Sequence, residues 1–245
     1  MANATKIKLI VGRCSQNHFC ASVLEPTTKP RKKLAFTLAE VLITLGIIGI
    51  VAAMVIPSLV SNYQERYTVT RLRKTYAILQ QAIKLSISEN GEPGGWNIPH
   101  SHTTTNARKA AAYIVPYLKI VKDCNTRSGC IAYTKKVKLL NGKQHNINYD
   151  TDNRYYKIIL ADSTYLVIRA PLNTDPDGRI MGIFTDINGP KEPNTVGKDI
   201  FSFGIQDNIL FPGGIRGDYT DCQKNGQGWS CTDYVIKNGD MKYLR

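Results

Sequence analysis

Beyond residue 60 the sequence has no long apolar run and no dense run of one charge. It also lacks Gly-x-Ser-x-Gly, the phosphate-binding P-loop and His-Glu-x-x-His. The local signatures of nucleophile-elbow hydrolases, P-loop nucleotide enzymes and zinc peptidases are therefore missing. Histidine is scarce, four in 245 residues, and His100-Ser-His102 is the only close pair. That pair lies in a Thr-rich loop with no evident third ligand and reads as solvated loop rather than metal site. Asp162, Asp175 and Asp177 fall in turn contexts. No catalytic set is expected.

Acidic residues are also few, 19 against 32 Lys and Arg, for a formal charge of +13. Residues 1–35 hold seven basic residues against one Glu, so +6 of that excess lies there and +7 in the rest. Lys29, Arg31, Lys32 and Lys33 stand directly before the apolar run, where basic residues keep a flank cytoplasmic and orient a span. The remaining Lys and Arg are scattered among Asp and Glu and read as a solvated surface, with nucleic acid as the less favoured partner.

What the chain does have is concentrated between Phe36 and Val60: 25 residues, FTLAEVLITLGIIGIVAAMVIPSLV, with one ionisable side chain. At about 1.5 Å per residue this crosses a hydrocarbon core of about 30 Å. The single charge is Glu40, and no basic side chain within the span can serve it. A carboxylate inside a span is normally kept for a partner. Small residues at Gly46, Gly49 and Ala53 suit close helix approach, though glycine is common in spans for other reasons. Pro57, in the last turn, removes a backbone donor and predicts a kink or the helix end.

The stretch KKLAFTLAEVLITLGIIGIVAAMVIPSL, Lys32 to Leu59, resembles the prepilin signal of type IV pilins and type II secretion pseudopilins. The shared features are a basic leader end, a small residue, Phe-Thr-Leu, a Glu five residues into the mature chain, and an apolar helix. The resemblance implies that a prepilin peptidase removes residues 1–35 by cutting between Ala35 and Phe36 and methylates the new Phe36 amine. Ala35 stands where the family usually has Gly and keeps the small size. The resemblance further implies that the Phe36 amine of an incoming subunit pairs with Glu40 of a subunit already in place. A patch that pairs with a different patch on the next copy builds open helical filaments. A secretory signal peptide cut after Val51-Ala52-Ala53 is the rival reading, but it leaves Glu40 and FTLAE unexplained.

After the span the pattern stays helical but becomes amphipathic, with Val60, Tyr63, Tyr67, Val69, Leu72, Tyr76, Leu79, Ile83 and Ile87 spaced to face a domain. One helix is expected from about Thr37 to Glu89, ended by Asn90-Gly91 and Pro93-Gly94-Gly95. A second helix is expected over 106–122, and strands at 137–140, 155–160, 165–168, 180–186, 200–205 and 209–211. The layout is α+β: a long N-terminal helix, transmembrane then amphipathic, packed on a small antiparallel sheet, as in the pilin fold. Its expected parts are a leader (1–35), an assembly helix (36–60) and an exported domain (61–245).

Cys14 and Cys20 fall in the leader, and four cysteines lie beyond the span. Short separations favour Cys124 with Cys130 and Cys222 with Cys231, among three connectivities. Neither pair has the Cys-x-x-Cys spacing that zinc prefers. The loop from Asp186 to Asp199 concentrates oxygen ligands and turn formers. Some pseudopilins bind calcium in a loop near the C-terminal end of the sheet, and Asp186, Asn188, Asn194 and Asp199 are the candidate ligands here, against the plain reading that Asn-Gly and Pro-Asn make turns.

The expected function is that of a structural subunit of a type IV pilus or secretion pseudopilus. Its expected partners are other subunits, the prepilin peptidase and an inner-membrane assembly platform. Two alternatives stay open. A minor pilin of a DNA-uptake pilus would show a clustered basic, aromatic-flanked patch. An exported enzyme or binding protein on a signal anchor would show a deep pocket with convergent ionisable groups.

Overall fold

The computed structural model describes residues 36–131, 136–173, 178–214 and 217–245. Ala35, Asp175, Asp177 and the leader cysteines lie outside the described residues. The chain divides between Val51 and Ala52 into two compact units.

Helix α1 spans Leu38–Asn90. In the first unit, every described residue from Phe36 to Val51 is exposed, including Leu42, Ile43, Ile47, Ile48 and Ile50. An apolar helix left uncovered by the described residues calls for another covering, and α1 is long and apolar enough to cross a membrane. The helix continues through Pro57.

In the second unit, six antiparallel strands lie in chain order: β1 (Ile120–Asn125), β2 (Tyr156–Leu160), β3 (Tyr165–Arg169), β4 (Met181–Asp186), β5 (Ile200–Gln206) and β6 (Ile209–Pro212). Every connection is between neighbouring antiparallel strands, so no crossover helix is needed. Two shorter helices, α2 (Thr104–Ala112) and α3 (Cys231–Asn238), complete the layer arrangement.

Alternation along the strands sends Leu166, Ile168, Ile183, Phe201, Phe203 and Ile205 to one face, where they pack with Leu72, Leu79 and Ile83 of α1. Each of these α1 side chains is almost wholly buried, and removing one from water is worth about 1.5–3 kcal/mol. Tyr76 stacks on Phe203 with ring centroids 5.8 Å apart. Polar clamps fix the register: Lys74 reaches Asp162 at 2.9 Å, and Arg71 donates to the Asp162 carbonyl at 2.7 Å. Arg73 donates to the Ile236 carbonyl and Glu65 accepts from Met241 N. Asp162 thus holds the α1 face to the β2–β3 turn. The covered stripe begins at Val69. Val60, Tyr63 and Tyr67 are exposed, which shortens the stripe expected from spacing.

The opposite face carries Tyr165, Val167, Phe184 and Ile200, in a second cluster with Tyr149, Tyr155 and Val196. Disulfides join Cys124 to Cys130 and Cys222 to Cys231, the pairs that short separation favours.

Two expected elements are corrected. The helix expected over 106–122 ends at Ala112, and Ile120–Asn125 is an edge strand. Pro116 cannot donate a helical hydrogen bond and disfavours helix for the residue before it. Beyond it, Ile120 and Lys122 find partners in Leu160 and Ile159 of β2. The strand expected at 137–140 is reduced to bridges from Lys138 to Gln144 and Thr195. The chain reverses at Asn141-Gly142, where Leu139 N bonds to Lys143 O and Leu140 N to Gln227 O, so these backbone groups are satisfied by loops rather than by the sheet.

Candidate functional site

Three places carry groups that packing alone does not account for. The first is the start of α1. Thr37 N and Thr37 Oγ1 both donate to Glu40 Oε2, at 2.9 and 2.8 Å, and Glu40 N donates back to Thr37 Oγ1 at 3.2 Å. This is a reciprocal capping box, in which a Thr and a Glu three residues on satisfy each other's backbone donors. The pattern T-x-x-E stands in the sequence, and the assembly reading of Glu40 hid it. Within a single chain, Glu40 organises the helix start. Its carboxylate remains exposed, as does Phe36.

The second place is the loop between β4 and β5. Asp186 ends β4 opposite Ile200, so sheet register brings it beside Asp199 at the entry to β5. Asp199 Oδ1 accepts from Thr195 N at 2.6 Å, and Oδ2 accepts from Asn194 N at 2.8 Å and Asn188 Nδ2 at 3.2 Å. Asp186 Oδ1 accepts from Asn188 N at 3.2 Å. The four expected ligand residues are therefore gathered around Asp199. Burial pushes the Asp199 carboxyl up to about 6, against the pull of its N–H donors. Asn194 is fully buried with a left-handed backbone, and neither its Oδ1 nor its Nδ2 has a hydrogen-bond partner among the described residues. Asn188 Oδ1 is in the same condition. Buried amide oxygens without donors suit a hard cation, which takes oxygen ligands. Among the described residues, no three His, Cys, Asp or Glu side chains gather as a metal site, so the four candidate ligands are two carboxylates and two amides.

The third place is a cavity of about 730 Å³ on the sheet face opposite α1. Tyr149, Tyr155, Phe184 and Trp229 line it together with His102 and His145. His102, expected in a solvated loop, has its Nε2 buried here without a hydrogen-bond partner, while His100 stays exposed. Burial, and then the positive charges of Arg154 and Arg169, lower the His102 pKa; burial lowers that of His145. Both shifts favour the neutral imidazole. Ser230 Oγ is a second buried polar atom without a partner at this cavity. Asp221 accepts from the backbone N–H of Gln227, Trp229 and Ser230 and so holds the wall built by the Cys222–Cys231 loop. Separation in sequence, from residue 102 to residue 230, concealed this site.

Residues 30–56 match the family model described as the prokaryotic N-terminal methylation motif. With the apolar helix that follows, the match supports a type IV pilin-like protein, and α1 is the one helix among the described residues long and apolar enough to cross a membrane, consistent with a single-pass anchor. Residues 58–209, more than half of the chain, match the model described as Family of unknown function (DUF6613), and the chain belongs to that family. Searches of curated proteins and of solved structures find no match.

Proposed function

We propose that the chain is a structural subunit of a pilus or secretion pseudopilus, cut before Phe36, methylated there, and assembled through α1. The observation that carries this reading is the methylation motif over 30–56 coinciding with an uncovered apolar helix start. Such a surface is covered first by lipid and then by the helices of other subunits. Glu40 supplies the one charge of that surface and receives the Phe36 amine of a neighbour, in surroundings that screen it poorly. The basic flank at 29–33 orients the second unit outward. Prepilin peptidase, an inner-membrane assembly platform and other subunits are the partners. Calcium, held by Asp186, Asn188, Asn194 and Asp199, rigidifies the β4–β5 loop; the unpartnered amide oxygens support this part of the reading.

The test uses the capping box. Glu40→Gln keeps the reciprocal cap, because Gln serves as well as Glu at that position, and removes the charge. Glu40→Ala removes both. Mass spectrometry of membrane protein should find N-methylated Phe36 as the mature terminus in all three forms. Sheared filament fractions and cross-linking should then show both variants processed and neither assembled. Normal assembly of Glu40→Gln would reduce Glu40 to a helix cap, and a mature terminus at Met54 would refute the pilin reading.

A further inference from the structure

Residues 97–149 hold nine Lys and Arg against one acidic residue, Asp123. Helix α2, the edge strand β1 and the disulfide loop after it bring five of those nine to one border of the sheet. Arg108 and Lys109 stand on α2, Lys119 directly precedes β1, Lys122 lies within it, and Arg127 is on the Cys124–Cys130 loop; all five are exposed. Arg108 ties helix to strand end, its Nε donating to Asn125 Oδ1 and its Nη2 to Thr126 Oγ1, both at 3.0 Å. These partners are neutral, so the guanidinium charge stays uncompensated. Among the described residues, none of the five cations forms an ion pair.

The carboxylates around this border are already engaged. Asp123 accepts from Tyr156 Oη and from Asn125 N, each at 2.8 Å, and Glu89 accepts from Tyr117 Oη at 2.7 Å. Asp150 accepts from the backbone N–H of Gly129, Cys130 and Ile131. Its charge offsets that of the buried Lys157, whose Nζ donates to the Thr126 and Arg127 carbonyls. Five cations against Asp123 alone leave the border at +4. The disulfide, Asp150 and Lys157 also fix the loop backbone, so Arg127 is presented with little ordering left to do on binding.

The shape of the charge narrows the partner. From Lys119 to Asn125 an extended strand covers about 20 Å at about 3.3 Å per residue. Five cations over that length are one per about 4 Å, close to the one phosphate per about 3.4 Å that a single nucleic-acid strand carries along a duplex. A bilayer calls for a broad face with apolar residues to insert, and the strand offers Val121 alone as a large exposed apolar side chain. We propose that this border, through Arg108, Lys109, Lys119, Lys122 and Arg127, binds the phosphate backbone of a nucleic acid without reading its sequence. Contacts to phosphate carry no base information. The border belongs to the second unit and does not rest on the filament reading.

Fluorescence anisotropy of a labelled mixed-sequence DNA with the full chain in a neutral detergent tests this. Binding should be indifferent to sequence and weaken about tenfold or more between about 50 and 200 mM salt. The double variant Lys119→Gln, Lys122→Gln should weaken it about tenfold and lower the salt slope by about 2. A control pair, Lys191→Gln with Lys224→Gln, removes the same charge from exposed positions elsewhere and should change neither. Melting temperatures of both should match the parent. Residues 1–35 carry +6 in every form, so photo-cross-links from iodouracil-substituted DNA locate the contact and should map to peptides within residues 104–130. The proposal is overturned if no DNA binds up to about 100 μM at low salt, if the control pair loses as much as the border pair, or if cross-links are confined to the leader. Displacement of the DNA by a polyuronate or by phosphatidylglycerol vesicles at equal charge would also overturn it, making the partner a polysaccharide or a membrane.

Discussion

If calcium occupies the β4–β5 loop as proposed, its removal should destabilise the second unit, and the size of the effect follows from Asp199. Its carboxyl is pushed from 3.8 up to about 6 by burial. Each unit is worth about 1.4 kcal/mol, so carrying that charge without a cation costs the fold about 3 kcal/mol at neutral pH. A folded-state value above the unfolded one means that the folded state binds the proton more tightly. Stability from this group is therefore full below about pH 4 and is lost as pH rises through about 6. In chelator, the melting temperature of the detergent-solubilised chain should be lower at pH 7.5 than at pH 5.5. Calcium at about a hundred times its dissociation constant should return about 2.7 kcal/mol at pH 7.5, a rise of about 5–10 °C for a domain of this size. Asp186→Ala and Asn194→Ala should each abolish that rise. Equal melting in chelator and in calcium at pH 7.5 would leave Asp186, Asn188, Asn194 and Asp199 as turn formers only.

Leu79→Ala should cost the second unit about 2–5 kcal/mol, read as a fall in denaturation midpoint, because Leu79 is wholly buried between α1 and the sheet; a change no larger than that of Leu85→Ala, on the exposed side of α1, would mean that α1 does not belong to this core. Non-reducing peptide mapping should recover Cys124–Cys130 and Cys222–Cys231 peptides, and reduction should lower stability by about 2–3 kcal/mol for each small loop opened; crossed pairs or four thiols would contradict the structure. Replacing Ala35 with Trp should leave unprocessed precursor in the membrane, and normal processing would place the cut elsewhere.

Strands β2 to β6 were legible because runs such as Lys157-Ile-Ile-Leu160 and Ile200-Phe-Ser-Phe203 are bounded by turn residues, and β-branched or aromatic side chains fit a pleated surface. Strand β1 was not. Its sequence Ile-Val-Lys-Asp-Cys-Asn continues the spacing of Tyr113, Ile114, Tyr117 and Leu118, so helical periodicity runs on after Pro116 has ended the helix. Helix α3 escaped because eight residues with Thr232, Val235 and Ile236 carry low helix propensity, and its position rests on burial of Cys231 and Val235. The methylation motif was legible, since its residues are adjacent in sequence. The cavity was not, because it depends on strand register. Its lining residues run from His102 to Ser230, and only the fold brings them together.

The sheet has α1 on one face and the cavity on the other, and this separates two kinds of constraint within the second unit. Substitutions at Leu72, Leu79 or Phe203 act on the core that joins helix to sheet. Substitutions at Ser230 or Arg154 touch only the opposite face. Effects of distant sites that share no partner add to within about 0.5 kcal/mol. Leu79→Ala and Ser230→Ala should therefore add in their cost to the denaturation midpoint, and a coupling well beyond that limit would mean that the two faces of the sheet are not independent.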